Sequence, residues 1–475
     1  MPITTHFCLN DQEIQTTTSP GTLVLDYLRH AKRMTGTKEG CKEGDCGACT
    51  VLIGELAIDR VCYNPVTSCL MPVGELHGKH LVTVEGLNMP VLTPVQQAIV
   101  DEGGTQCGFC TPGIVVSLTS LLMQENARID SDSVKYALSG HLCRCTGYRS
   151  LKQTWHHLAK NIGNRTGIDA LIEQSMLPAY FLEMPEKLHK IPKPLETNGA
   201  ISKATAIAGG TDIYVQKGEE LPDTPVNVLN LYPEMRHISK RDNDFLQVGA
   251  LTTFEEFTQH PEVLKIIPRI QDYTFLIASW QIRNRATLGG NIINASPIGD
   301  MTMLLLAMES LLVLKDGKKT RKVPMTAFYK GYKQLDKSSN EILTHINIPL
   351  LEFGAKINFE KVSKRKCLDI ASVNSAIKIR EKNSVITKIG LAMGGVAPEP
   401  LFMRKTCSYF VGKKITTSTV LRGIDVAQQE ISPISDIRGS ADYKRLLTRQ
   451  LVIAHFTKLF PEYLRIQDFL TNHKA

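Results

Sequence analysis

No stretch of this 475-residue chain approaches the roughly 18 to 20 unbroken apolar residues that a membrane span needs. The most apolar run, Met301 to Leu314, is broken by Glu309 and Ser310, so no membrane association is expected. The opening MPITTHFCLND has neither the basic region nor the apolar core of a secretory signal, which predicts a cytoplasmic, reducing setting. Also missing is a tight Lys/Arg block interleaved with aromatics: 55 basic and 47 acidic residues leave a net charge of +8, but the basic residues are scattered. No nucleic-acid partner is expected, and the excess positive charge eases the approach of anionic cofactors or substrates. There is no G-x-G-x-x-G and no Walker lysine, which sets aside an ordinary Rossmann or P-loop domain. What remains, 43% hydrophobic and 21% charged, is an ordinary globular composition.

Cysteine is the abundant exception. Of the 12, ten fall before residue 146, at 8, 41, 46, 49, 62, 69, 107, 110, 143 and 145; only Cys367 and Cys407 follow. Cys41, Cys46 and Cys49 read C-x4-C-x2-C in a loop with Gly40, Gly44 and Gly47, the spacing of a plant-type [2Fe-2S] site. Such a site needs four converging thiolates and a loop tight enough to aim amides at the sulfides, which the glycines permit. The fourth ligand is Cys69 or Cys62, and zinc is the competing metal.

Cys107 and Cys110 form C-x2-C before a helix opened by Pro112, and Cys143 and Cys145 form C-x-C before another. Two helix N-termini would favour an anionic cluster there, although C-x2-C with C-x-C also suits zinc. Cys8, Cys367 and Cys407 read as small buried hydrophobes.

The periodicities divide the chain. A hairpin turned at Asn10-Asp11, a helix over 22–30 capped by Thr22, and a closing LVTVEGL at 81–87 make an α+β unit over 1–89. Helices at 94–102, 113–125, 131–138 and 148–160 make a bundle over 90–162. Prolines 178, 185, 192 and 194 mark 163–199 as an extended linker. Alternating strands and helices fill 200–352, with strands near 373–380 and 385–391 and helices near 417–430 and 440–460 in the final 353–475.

Two glycine pairs, in AIAGGTDI at 206–213 and TLGGN at 287–291, each read as flanked by a strand, can bring backbone amides to a pyrophosphate. A tight turn is the plainer meaning of one pair; two together favour a nucleotide cofactor.

Taken in order, CKEGDCGACT, SCL, QCGFCTPG, HLCRCTGYR, AGGTDI, QIRNRATLGGNIINASPIGD and GGVAPEP resemble the small subunits of xanthine dehydrogenases, in the molybdenum hydroxylase family. The resemblance covers nearly the whole chain. It implies an α+β multidomain protein: a β-grasp ferredoxin-like domain, a helical bundle [2Fe-2S] domain, an FAD-binding α+β domain of the vanillyl-alcohol oxidase type, and a C-terminal α+β domain. It selects Cys69 over Cys62 to complete Cys41, Cys46 and Cys49, and groups Cys107, Cys110, Cys143 and Cys145 around a second cluster.

FAD would rest on Ala206, Ile207, Ala208, Gly209, Gly210, Thr211, Asp212 and Ile213, and on Thr287, Leu288, Gly289, Gly290 and Asn291. Asp300, Leu343 and Lys361 would complete its pocket, and Gln106 would face the molybdopterin of a partner. The implied activity is oxidation of hypoxanthine and xanthine to urate at molybdenum on a separate large subunit, in a heterotetramer, with no catalytic residue for hydroxylation on this chain. Electrons would pass through both clusters and FAD to NAD. Two departures stand out: Gln334 occupies the place of a lysine that helps NAD binding in some relatives, and Ile277 that of an aromatic against the flavin. An aldehyde or N-heterocycle dehydrogenase is the alternative within the family, and a zinc-binding scaffold the alternative outside it.

Overall fold

The computed structural model describes residues 4–125, 130–162, 166–192, 204–229, 232–241 and 244–470. Strands β1 (Thr5–Leu9) and β2 (Gln12–Thr16) form the expected hairpin, turned through Asn10 at φ 54°, a conformation that asparagine tolerates. With β3 (Thr50–Ala57), β4 (Arg60–Thr67) and β5 (His80–Val82) they make a five-stranded sheet of order β2-β1-β5-β3-β4, in which only β1 and β5 run parallel. Successive β3 side chains face opposite ways: Val51 and Ile53 join Phe7, Leu28 and Met71 in one core, while Leu52 packs with the helical bundle.

The helix after the hairpin begins at Val24 and changes to a π-helical turn over Tyr27–Ala31. Thr22 does not cap it. Its amide donates to the Ser19 carbonyl and its own carbonyl accepts from Val73 N–H at 2.8 Å, so the residue is tied into the chain crossing at 72–73.

All four bundle helices form: Pro94–Asp101, Thr111–Met123, Ser131–Leu138 and Arg149–Ile162. The first is held by a reciprocal Thr93–Gln96 capping box. Thr111–Met123 is apolar on nearly all sides because it runs through the middle of the bundle core.

The expected extended linker is mostly helical and packed where it is described. Helices Ile168–Glu173 and Met184–Lys190 flank a 3-10 turn at Ala179–Glu183, and Leu171, Phe181, Met184 and Leu188 join the bundle core. Pro178 and Pro185 sit at helix starts, where a missing N–H costs nothing. Positions 163–165 and 193–199 of that segment lie outside the described residues.

The chain gathers into two compact units, one of residues 1–231 with 278–286, the other of 232–277 with 287–475. The first ends in a parallel pair, Thr205–Ile207 with Val226–Val228. The second holds a two-stranded hairpin, Tyr329–Gly331 with Gln334–Leu335, and two larger antiparallel sheets. One has five strands, in order Lys319–Pro324, Leu311–Asp316, Ile342–Pro349, Phe245–Gly249 and Ile238–Arg241. The other has Ala355–Val362, Val373–Lys382, Val385–Gly394 and Leu401–Phe402, covered by helices Arg404–Phe410, Thr417–Glu430 and Ala441–Leu459 around Phe410, Phe456 and Phe460. Among the described residues no helix is long and apolar enough to cross a membrane.

Candidate redox sites

The loop before β3 wraps around its own sulfurs. Gly44 and Gly47 adopt φ values of 80° and 70°, and a Cβ at Gly40 would lie 2.7 Å from Cys46 Sγ, so side chains are excluded by both backbone and space. The amides of Glu43 and Asp45 donate to Cys41 Sγ at 3.4 and 3.2 Å. The Cys46 thiol, with these amides, holds the Cys41 thiol down at about 5. Cys69, on the short turn after β4, is hydrogen-bonded to Cys49, which it holds below its ordinary value; both are buried. The four cysteines expected to act together are thus brought together as two interacting pairs. Cys62 is exposed on β4, opposite Glu55.

The second group forms where the bundle helices begin. Cys107 interacts with Cys145 and Cys110 with Cys143, and all four line one pocket with Gln106 and Phe109. The Phe109 amide, followed by Cys145, lowers the Cys107 pKa, whereas burial, followed by Cys143, pushes Cys110 up to about 12. Thr146 Oγ1 lies 3.0 Å from Cys143 Sγ, and the Cys143 amide donates to the Tyr148 hydroxyl, which donates to the His141 carbonyl. Cys110 occupies the N-cap position of helix Thr111–Met123 without a capping hydrogen bond, at the positive end of a 13-residue helix. Gln106 is exposed, its amide 3.5 Å from the Cys145 carbonyl.

The two cysteine loops touch. Leu142 N–H donates to the Cys46 carbonyl at 3.1 Å, and a Cβ on Gly47 would lie 2.5 Å from both the Gly140 carbonyl oxygen and His141 Nδ1. Behind this contact the buried Gln281 amide donates to Ser117 Oγ and the Ala137 carbonyl, both at 2.9 Å. His141 and Gln281 open two of the motifs quoted above, but the sequence assigned neither a role, since both act through neighbours distant in the chain.

The first glycine pair follows a strand, as expected. Ile207, Gly209 and Gly210 are buried, Ala208, Thr211 and Ile213 half-buried, and Ala206 and Asp212 exposed. A Cβ on Gly209 would fall 1.9 Å from the Arg285 carbonyl oxygen, and one on Gly210, at φ 77°, would fall 2.4 Å from the Leu70 carbonyl oxygen. Ile207 and Tyr214 share one core with Cys49, Cys69 and Leu70. The AGGTDI turn therefore lies directly against a cysteine segment.

The second pair differs from expectation. It follows helix Trp280–Arg283 rather than a strand, and opens helix Leu288–Asn294. Its amides are already engaged: Leu288 to the Thr252 carbonyl, Gly289 to Ala250, Gly290 to Thr287 Oγ1, and Asn291 to the Thr287 carbonyl. Gly289 is required because a Cβ would meet Ala250 at 2.7 Å, so close packing rather than free amides explains this pair. Asn291 Oδ1 accepts from the Thr302 amide and hydroxyl.

In the same unit Lys361 Nζ lies 2.6 Å from Asp300 Oδ2 and donates to the Leu276 carbonyl, while Asn374 donates to Asp300 Oδ1 at 2.6 Å. The structure brings Asp300 and Lys361 together; Leu343 is buried separately in strand Ile342–Pro349. Ile277 is buried, and Gln334 is exposed on a small hairpin with Tyr329–Gly331.

Four domain families match in succession: a 2Fe-2S iron-sulfur cluster binding domain over 7–73, a [2Fe-2S] binding domain over 83–156, an FAD binding domain in molybdopterin dehydrogenase over 182–351, and a CO dehydrogenase flavoprotein C-terminal domain over 359–459. This order, on two groups of four cysteines and a flavin-type α+β domain, defines an electron-transfer protein with two [2Fe-2S] clusters and FAD. The chain is an iron-sulfur flavoprotein of the molybdenum hydroxylase family. It is 29% identical to xanthine dehydrogenase of Emericella nidulans over 88% of this chain and 36% of that protein. It is 27% identical to aldehyde oxidase 1 of Macaca fascicularis over 96% of this chain and 39% of that one. Among solved structures, carbon monoxide dehydrogenase of Hydrogenophaga pseudoflava aligns at a TM-score of 0.51 and 28% identity, over 55% of this chain and 92% of the matched one. The chain spans between 36% and 39% of the length of the curated relatives it matches.

Proposed function

We propose that the chain is the electron-transfer subunit of a molybdenum hydroxylase, with the substrate oxidised on a molybdopterin-binding partner. When bound, the clusters carry single electrons, and FAD collects two for release as a hydride to an acceptor such as NAD. Cys107, Cys110, Cys143 and Cys145 hold the entry cluster, at the pocket that includes Gln106. Cys41, Cys46, Cys49 and Cys69 hold the relay cluster. The observation that carries this reading is the packing of one redox segment on the next: Leu142 on Cys46, and Gly210 on Leu70 beside Cys69. Paired thiols, helix-end charge and sulfur-directed amides fit anionic clusters at both places.

The substrate belongs to the partner. Similarity to xanthine, aldehyde and carbon monoxide enzymes supports this broader reading over any single substrate. Xanthine or hypoxanthine oxidation to urate is the second reading, favoured by the fusion of iron-sulfur and flavin parts in one chain. The xanthine dehydrogenase relative matches 88% of this chain in one alignment, whereas the carbon monoxide dehydrogenase chain accounts for 55%.

Metal, sulfide and flavin analysis of the purified chain tests the cofactor reading: about four irons, four sulfides and one FAD are expected. A colourless protein with zinc and no flavin would sink it. Turnover of the assembled complex with xanthine, aldehydes and N-heterocycles, using NAD and a dye as alternative acceptors, identifies substrate and acceptor.

A further inference from the structure

Arg285 lies in the segment that joins the first unit from position 278, and it is almost wholly buried. Its Nη2 is 2.9 Å from Glu75 Oε2 and its Nη1 3.3 Å from Oε1; the two side chains are 2% and 5% exposed. The same Nη2 donates at 2.6 Å to the carbonyl of Gly209, the first glycine of the AGGTDI turn. Glu75 is held in turn by Lys79 at 3.3 Å, which also reaches Glu55 at 2.7 Å.

Burying such charges is costly, so a bidentate pair retained here is better explained by what it orients than by stability. In a trans peptide the C=O and the following N–H point in opposite directions. Holding the Gly209 carbonyl toward Arg285 therefore turns the Gly210 N–H away from it. That amide belongs to a buried residue and meets no acceptor among the described residues, which is unusual for a buried donor unless a ligand supplies one.

We propose that Arg285, fixed by Glu75, is a positioning residue that presets the Gly209–Gly210 peptide so that the Gly210 amide receives an oxygen of the FAD pyrophosphate. The inference rests on the flavoprotein reading above. It assigns Arg285 no contact with the flavin: it acts through one peptide plane, while the close approach of the Leu70 carbonyl to Gly210 fixes where the turn sits relative to Cys69.

The test uses the full chain, stripped of FAD and titrated with it by flavin fluorescence, with iron content, cluster EPR and thermal melting followed in parallel. The double substitution Glu75→Leu with Arg285→Met removes both charges, leaving no buried unpaired ion. It is expected to keep its irons, to melt within a few degrees of the parent, and to bind FAD about tenfold more weakly. Arg285→Lys keeps the charge but loses the fork that serves Glu75 and Gly209 together, and an intermediate affinity is expected.

FAD affinity within about twofold of the parent in the double variant overturns the inference, because that factor is less than one hydrogen bond contributes. If the double variant loses its irons, parental affinity in Arg285→Lys overturns it equally. Failure of the unaltered chain to take up FAD overturns the flavoprotein reading itself and this inference with it.

Discussion

The hydroxyl of Tyr63 meets His80 Nδ1 at 2.6 Å, while Nε2 of the same ring lies 2.8 Å from the Asn10 carbonyl. A carbonyl only accepts, so Nε2 carries the proton and Nδ1 accepts from the tyrosine: the ring is neutral. Burial holds its pKa down at about 3. His455 is arranged likewise, accepting from Asn358 at 2.9 Å and facing Ser375 Oγ at 3.0 Å, and burial holds it too at about 3.

These rings, with His141, which burial likewise holds at about 3, contribute to the acid limb of stability. A histidine depressed in the folded state binds protons more readily when unfolded, so stability is full above about pH 6.5 and falls as pH drops toward 3, by about 1.4 kcal/mol per unit for each ring. Melting temperature is expected to decline steadily below pH 6, and His455→Gln, though less stable at pH 7, is expected to show a shallower decline. A parallel decline in parent and variant would remove His455 from the account.

Cysteine substitutions separate the two groups. Cys69→Ser and Cys143→Ser are each expected to lower iron from about four atoms per chain to about two, with one of two EPR signals retained. Cys62→Ser is expected to change neither. Loss of both signals from either ligand variant would mean that the groups do not assemble independently.

Gly47 and Gly103 offer a matched comparison, since both have positive φ. A Cβ at Gly47 would strike Gly140 and His141, whereas nothing lies within 4 Å at Gly103. Gly103→Ala is expected to cost about 1 kcal/mol of backbone strain and Gly47→Ala at least about 2 to 3, with perturbed EPR from both clusters. Equal melting shifts for the two variants would contradict the packing described at Gly47.

Lys361→Met leaves Asp300, whose side chain is 13% exposed, beside Asn374 without its ammonium. A cost of about 3 to 5 kcal/mol is expected, visible as an earlier melting transition, because breaking a buried pair strands a charge. Lys361→Met combined with Asp300→Leu is expected to recover much of that loss. Failure to recover would show that the pair also serves packing or cofactor binding.

Several features were legible in the chain because their causes are local. Cysteine spacing marked both thiol groups, runs of strand-forming residues marked the strands, and a helical period, with a proline start in the first two, marked the four bundle helices. The prolines of 166–192 misled because the same residue opens a helix as readily as it interrupts one; buried Phe181 and Leu188, packed on a distant core, decided the outcome. At TLGGN, likewise, only the approach of Ala250 and Thr252 reveals that the Leu288 and Gly289 amides are already taken.

The sequence by itself determined which ligand atoms exist and in what order they occur, since thiol spacing and backbone periodicity are set within a few residues. Tertiary structure alone decided which of those groups meet. Glu75 and Arg285 stand 210 positions apart, and no short-range pattern encodes their contact; it exists because folding buries both side chains at one place, where each charge stabilises the other.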